Sequence, residues 1–203
     1  MPDANMDQQL VLFDTPEPAP AKYSVFLAVF PPPLMARHIP DLAMEIRGRY
    51  GLHGGVRPLN HLHVSLYPLG GCFEVSERVI HFVGQICEVV VASMPAFEVR
   101  FDRVISFNGG RPGNCPLVLV NRSGGNAQLR KLRQALDTEF SKFRRRGGGN
   151  LRFDPHVTLL YDQQSIPEEP IEPVSWVVDE IALVFSEVGA TKYERLGRWK
   201  LGD

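Results

Sequence analysis

Two short segments of this chain carry the same chemistry-bearing pattern. LHVSLYPLG at 62–70 and PHVTLLYD at 155–162 each place a histidine two residues before a hydroxyl, His63 with Ser65 and His156 with Thr158. In an extended strand the side chains at i and i+2 leave the same face, so this spacing sets each imidazole beside its hydroxyl. Two imidazoles and two hydroxyls converging on one point suffice for metal-free work on a phosphodiester. A neutral imidazole takes a proton from the attacking water or hydroxyl, and a protonated one delivers a proton to the leaving oxygen. The hydroxyls hydrogen-bond the non-bridging oxygens as charge builds there. A single His-x-Ser on a strand is most often an ordinary surface or hydrogen-bonded residue, and it is the repetition in matching contexts that points to catalysis.

The elements that must position these residues repeat as well. Lys22–Phe30 reads as a buried strand stopped by Pro31, Pro32 and Pro33. Met35, Ile39, Leu42 and Ile46 then mark one face of a helix, ended by the glycine-rich loop 48–55. The strand His61–Leu69 follows, with Leu62, Val64 and Leu66 on one side and His61, His63, Ser65 and Tyr67 on the other. Val79, Phe82, Val83, Ile86 and Val90 give a second helix, and strands follow at 96–107 and 116–120 around a turn at 108–114. A third helix carries the stripe Leu129, Leu132, Leu136, Phe140 and Phe143, closed by Gly147–Gly149, before a strand at 155–161. Two further strands are expected near 175–185 and 192–201.

The repeat offset is 93 residues, equating His63 with His156, Ser65 with Thr158, Leu66 with Leu159 and Val25 with Val118. Two copies are too few for a solenoid. The expected fold is α+β and bilobal with pseudo-twofold symmetry, two antiparallel sheets lining a central cleft with helices outside. Residues 1–21, rich in Pro, Asp and Ala, are expected to form a flexible tail, and 22–203 a single domain of two interleaved lobes.

At 203 residues and 44% hydrophobic content, the chain can bury such a core without disulfides or metals. A net charge of -1 and a pI near 6.6 argue against a general nucleic-acid coat protein, so any RNA contact must be local. Residues 122–152 hold nine basic residues (Arg122, Arg130, Lys131, Arg133, Lys142, Arg144, Arg145, Arg146, Arg152) against Asp137 and Glu139, a candidate footprint, although cations near a helix C-terminus also complement its dipole. Cys72, Cys87 and Cys115 form no CxxC pair, which fits a reducing compartment. The acidic N-terminus lacks the features of a secretory signal, and no apolar run reaches the roughly 18 residues of a membrane span. A cytoplasmic monomer with no membrane partner and no cofactor is expected. His61 with His63 raises a His-x-His metal site completed by His53 or His156, but no carboxylate or thiol stands beside them in sequence, and the expectation is no metal. Neither a GxxxxGK[ST] loop nor a G-x-S-x-G elbow is present.

Together with VFLAVFPPP at 25–33 and GATKYERLGRW at 189–199, the two motif segments resemble the 2H phosphoesterase superfamily, and within it the bacterial 2′-5′ RNA ligase-like (LigT-like) group, from about Tyr23 to Leu201. The resemblance implies His63 and His156 as catalytic residues, and Ser65 and Thr158 as phosphate-binding ones. It also implies hydrolysis of RNA 2′,3′-cyclic phosphate ends, or of small 2′,3′-cyclic nucleotides, to 2′-phosphomonoesters, with weak reversible 2′-5′ ligation in some members. The chain departs from the group at Tyr161, where many members carry an arginine. Lys192 is the candidate replacement cation, Tyr161 itself a substrate-binding candidate, and Phe26 and Phe30 candidates for stacking a base. The competing expectation is a non-catalytic nucleotide- or RNA-binding module that uses the histidines only as hydrogen-bond partners.

Overall fold

Val25, Leu27 and Val29 line one buried face of β1 (Tyr23–Val29), and Ala28 on the other face is buried too, as befits an interior strand. A computed structural model describes residues 23–72, 75–108, 113–143, 153–187 and 192–202. The expected tail, most of the turn at 108–114 and the closing glycines 147–149 lie outside them. β1 pairs antiparallel with β2 (Val64–Cys72) and β7 (Glu180–Glu187), and β8 (Tyr193–Lys200) completes a sheet in the order β2-β1-β7-β8. The second sheet is also antiparallel, in the order β5-β4-β3-β6, from β3 (Phe97–Ser106), β4 (Cys115–Val120), β5 (Val157–Asp162) and β6 (Glu169–Val178). The two sheets line the cleft, and the fold is α+β as the patterning predicts.

The helices cross between the lobes. α1 (Pro33–Tyr50) follows β1 yet packs on β5 and β6, while α3 (Ala127–Ser141) follows β4 and packs on β2. α2 (Glu77–Val91) rests on β8 and α3, its N-terminus capped by Ser76. Each half of the chain thus completes the core of the other.

Several boundaries differ from the sequence reading. α1 does not stop at Gly48 but runs to Tyr50 and ends on Gly51 at φ 63°, because Tyr50 and Arg49 both bind Glu169 of β6 and hold the last turn in place. The expected strand 175–185 is two strands that break at Asp179 and belong to different sheets; β6 is an edge strand, where Pro170 and Pro173 are tolerated. Phe143 lies beyond α3 and is exposed, meeting the edge of the Phe82 ring.

The first motif strand also departs from strict alternation. Residues 59–61 form a 3₁₀ turn, so His61 is buried and does not share a strand face with His63. Ser65 pairs with Ala28 and Tyr67 with Leu27, leaving Leu66 as an extra residue, so Leu66 and Tyr67 both return to the core, where Tyr67 stacks on Phe140. The second copy repeats the device. Thr158 pairs with Val118 and Leu160 with Leu117, leaving Leu159 extra, and Leu159 and Leu160 are both buried. The equivalent of Val118 is accordingly Ala28, not Val25: the 93-residue offset holds within the motif strands and falls to 90 across β1 and β4, because the connections differ in length.

Candidate active site

His63 and His156 each stand immediately before their strand, β2 and β5, and each is hooked to its own chain in the same way. His63 Nδ1–H donates to the His61 carbonyl at 2.7 Å, and His156 Nδ1–H to the Asp154 carbonyl at 2.8 Å. A proton held on Nδ1 leaves Nε2, on the opposite edge of the ring, as the nitrogen available for chemistry. In His63 that nitrogen accepts the Ser65 hydroxyl at 3.1 Å. The structure therefore pairs imidazole and hydroxyl in the first motif as the spacing predicts, with Thr158 half-buried at the matching position of β5.

Phe26, Phe30 and Tyr193 surround His63, their ring centroids 5.2, 5.7 and 5.5 Å from its own, and Phe107 meets His156 edge-on at 5.2 Å. This enclosure governs proton affinity. The pKa of His63 falls from 6.5 to about 4, first through burial and then through the positive charge of Arg57, with the hydrogen bond to the His61 carbonyl opposing. His63 is thus an unprotonated acceptor at neutral pH.

Arg57 is the residue that motif reading missed. Its guanidinium donates to His61 Nδ1 at 2.9 Å and to the Tyr193 hydroxyl at 3.4 Å, and it stands 5.8 Å from the Tyr161 ring centroid. Tyr193 in turn stacks on His61 at 3.9 Å. A positive charge therefore occupies the neighbourhood of Tyr161 although residue 161 is itself uncharged. The signal was a lone cation just after the glycine-rich loop, six residues before His63, which no periodicity distinguishes. Lys192 is exposed just before β8, and its neighbour Tyr193 is the residue that enters the cleft. Tyr161 is partly exposed beside Arg57.

The segment carrying Arg57 is stitched to the opposite lobe. Arg57 N–H donates to the Leu159 carbonyl at 2.7 Å, and the N–H groups of His53 and Gly54 donate to the Asp162 carboxylate at 2.7 and 2.6 Å. Hydrogen bonds from the backbone of Gln164 and Gly54 hold the Asp162 pKa below the ordinary carboxylate value. A methyl group added at Gly54 would overlap the Tyr161 carbonyl, whereas one at Gly55 meets nothing within 4 Å. Gly54→Ala is therefore expected to destabilise the protein by about 1–3 kcal/mol through overpacking and to lower activity by displacing Arg57. Thermal melts and turnover against Gly55→Ala as the control check this; equal behaviour of the two variants contradicts it.

Among the described residues, no group of three or more His, Cys, Asp or Glu side chains could hold a metal ion. His61 Nδ1 already receives the Arg57 guanidinium, an arrangement that disfavours a cation there. Of the nine basic residues between 122 and 152, Arg144–Arg146 and Arg152 lie outside the described residues. Arg122 is tied to Glu168 and Asp154, Arg130 to the Gly125 carbonyl, Arg133 to the Leu66 carbonyl, and Lys142 to Glu139. These four serve internal contacts, which reduces the expected RNA footprint. No helix among the described residues is long and apolar enough to cross a membrane.

The model of the 2′-5′ RNA ligase superfamily matches residues 31–190. Among solved structures, TT0787 of Thermus thermophilus is similar at 21% identity and a TM-score of 0.69, over 88% of this chain and 97% of that one. Escherichia coli LigT complexed with 3′-AMP is similar at 22% identity and a TM-score of 0.64, over 90% and 99% of the respective chains. The same enzyme complexed with NADP+ gives 23% identity and a TM-score of 0.62, over 88% and 97%. At these identities the likeness is one of fold. No curated protein matches by sequence.

Proposed function

The chain belongs to the 2′-5′ RNA ligase superfamily of 2H phosphoesterases, and from that premise we propose that it hydrolyses RNA 2′,3′-cyclic phosphate ends, or small 2′,3′-cyclic nucleotides, to 2′-phosphomonoesters. The observation that most supports this reading is the shared hook, which holds the Nδ1 edge of both His63 and His156 and leaves Nε2 free on equivalent strands of the two lobes.

His63 Nε2, unprotonated at neutral pH, takes the proton of the attacking water as its oxygen bonds to phosphorus. The bond from phosphorus to the 3′-oxygen breaks, and His156 delivers a proton to that oxygen, leaving a 2′-phosphate and a 3′-hydroxyl. Ser65, Thr158 and the Arg57 guanidinium hydrogen-bond the non-bridging oxygens, where charge grows in the transition state. Phe26 offers an aromatic face to the base. Escherichia coli LigT binds 3′-AMP and ATP in its solved complexes, which accords with a nucleotide in this cleft. The same displacement with a 5′-hydroxyl RNA end in place of water forms a 2′-5′ phosphodiester as the bond to the 3′-oxygen breaks, which would give weak 2′-5′ ligation.

The test is turnover of a 2′,3′-cyclic nucleotide and of a cyclic-phosphate-ended oligoribonucleotide in EDTA, with the phosphomonoester position read by ³¹P NMR. Binding without turnover would favour the non-catalytic module, and loss of activity in EDTA would favour a metal enzyme. The pH profile tests the assignment of the base. His63 acts only when unprotonated, and its lowered pKa keeps it so down to about 4, so kcat/KM should hold through pH 6 and fall only as pH drops through about 4. An acidic limb in the ordinary imidazole range would reassign the base.

A further inference from the structure

The cleft-side face of the first sheet extends well past His63. Register across its strands aligns Ser65 with Ala28, Ala28 with Ala182, and Ala182 with Arg198. Residues aligned across paired strands share a face, so Arg198 stands on the same surface as Ser65, three strand spacings or about 14 Å away. The adjacent row places Phe26, Val184 and Arg195 together in the same way. Phe30 links the rows to the motif, with its ring 5.7 Å from that of His63 and the Arg195 guanidinium 3.8 Å from its centroid.

Here a trough of about 530 Å³ opens between the first turn of α1, the 3₁₀ turn and β8. Four exposed cations line it, Arg37, Arg195, Arg198 and Lys200, against the two acids Asp179 and Glu180. Among the described residues, only Arg198 of these cations is paired with one of the two acids, to Glu180 at a long 3.9 Å. Burial and the neighbouring Arg198 both lower the Arg195 pKa, as expected of guanidinium groups held close with incomplete compensation. Between the cations lie apolar surfaces, Phe30, Leu59 and Val177, the last two substantially exposed. Cations that track a sugar-phosphate backbone beside apolar surfaces that receive bases are the two components of a single-strand nucleic-acid site.

We propose that this trough binds the single-stranded RNA immediately 5′ of the cyclic phosphate, which makes an oligoribonucleotide end the preferred substrate over a mononucleotide. The inference rests on the reaction assigned above, because a 3′-terminal cyclic phosphate at His63 leaves only the 5′ portion of the strand to be held. The trough begins at Phe30, against the His63 ring, so the strand meets it on leaving the catalytic point.

The test uses Arg37→Gln/Arg198→Gln/Lys200→Gln, three exposed positions outside the catalytic set. Binding of a short oligoribonucleotide bearing a 2′-phosphate end is followed by fluorescence anisotropy at several salt concentrations, and kcat/KM is measured on a cyclic-phosphate oligomer and on a 2′,3′-cyclic mononucleotide. The triple variant should bind the oligomer at least about ten-fold more weakly, and the log-log salt slope should fall by about 0.7 per lost phosphate contact. Its kcat/KM should drop on the oligomer alone, with mononucleotide turnover reporting an intact fold. Unchanged oligomer binding and salt slope would overturn the trough, as would equal losses on both substrates. If the parent turns over no cyclic phosphate yet binds the oligomer in a trough-dependent way, the reaction is refuted and the RNA surface stands.

Discussion

His63→Ala and His156→Ala should each lower kcat on a 2′,3′-cyclic phosphate by about 10²–10⁴-fold, the range carried by one positioned acid or base. The double variant should lose little more than the worse single one, because proton removal from water and proton delivery to the 3′-oxygen belong to the same displacement. The effects should separate by pH. His156→Ala retains the low-lying acidic limb of His63, whereas His63→Ala abolishes it. Both histidines stand just before their strands rather than within the hydrophobic core, so the variants should fold, and circular dichroism and oligomer binding provide the control. Activity in either variant within a few-fold of the parent would dispose of the two-histidine mechanism.

Arg57→Gln is expected to cost about 10²–10³-fold in kcat, the usual consequence of losing one preorganised donor to transition-state charge. A merely structural role predicts a comparable loss with an unmoved pH profile. The electrostatic role predicts an upward shift of the acidic limb as well, since the Arg57 charge helps hold down the proton affinity of His63. Arg57→Lys should restore the limb toward its original position while recovering only part of the rate, because an ammonium keeps the charge but lacks the planar guanidinium that binds two phosphate oxygens side by side. A normal limb in Arg57→Gln would reduce the residue to a brace for the loop.

The likeness between the two halves runs deeper than the motif residues. The imidazole hooks onto residue i−2 in both copies, and an extra residue follows the hydroxyl in both, Leu66 and Leu159. The two features act together. The hook settles which nitrogen does chemistry, and the bulge returns two consecutive apolar residues to the core without turning the histidine face away from the cleft. Neither is visible in an alternating pattern, which places Tyr67 beside His63 when it is in fact fully buried against Phe140.

From residue order alone come the paired His-x-Ser/Thr strands, the three amphipathic helices and the α+β two-sheet architecture. Each of these depends on local periodicity, and periods of two and about 3.6 residues register in a single chain. The break at Asp179 was not legible, because it follows from which sheet each strand joins. Only the folded chain decides that His63 loses proton affinity, that Arg57 stands beside Tyr161, and that β8 carries Arg195 and Arg198 onto the His63 face. Proton affinity and electrostatic potential sum over everything nearby in space. The neighbours that set them here, Phe26, Arg57, His156 and Tyr193, are brought together from four separate segments of the chain.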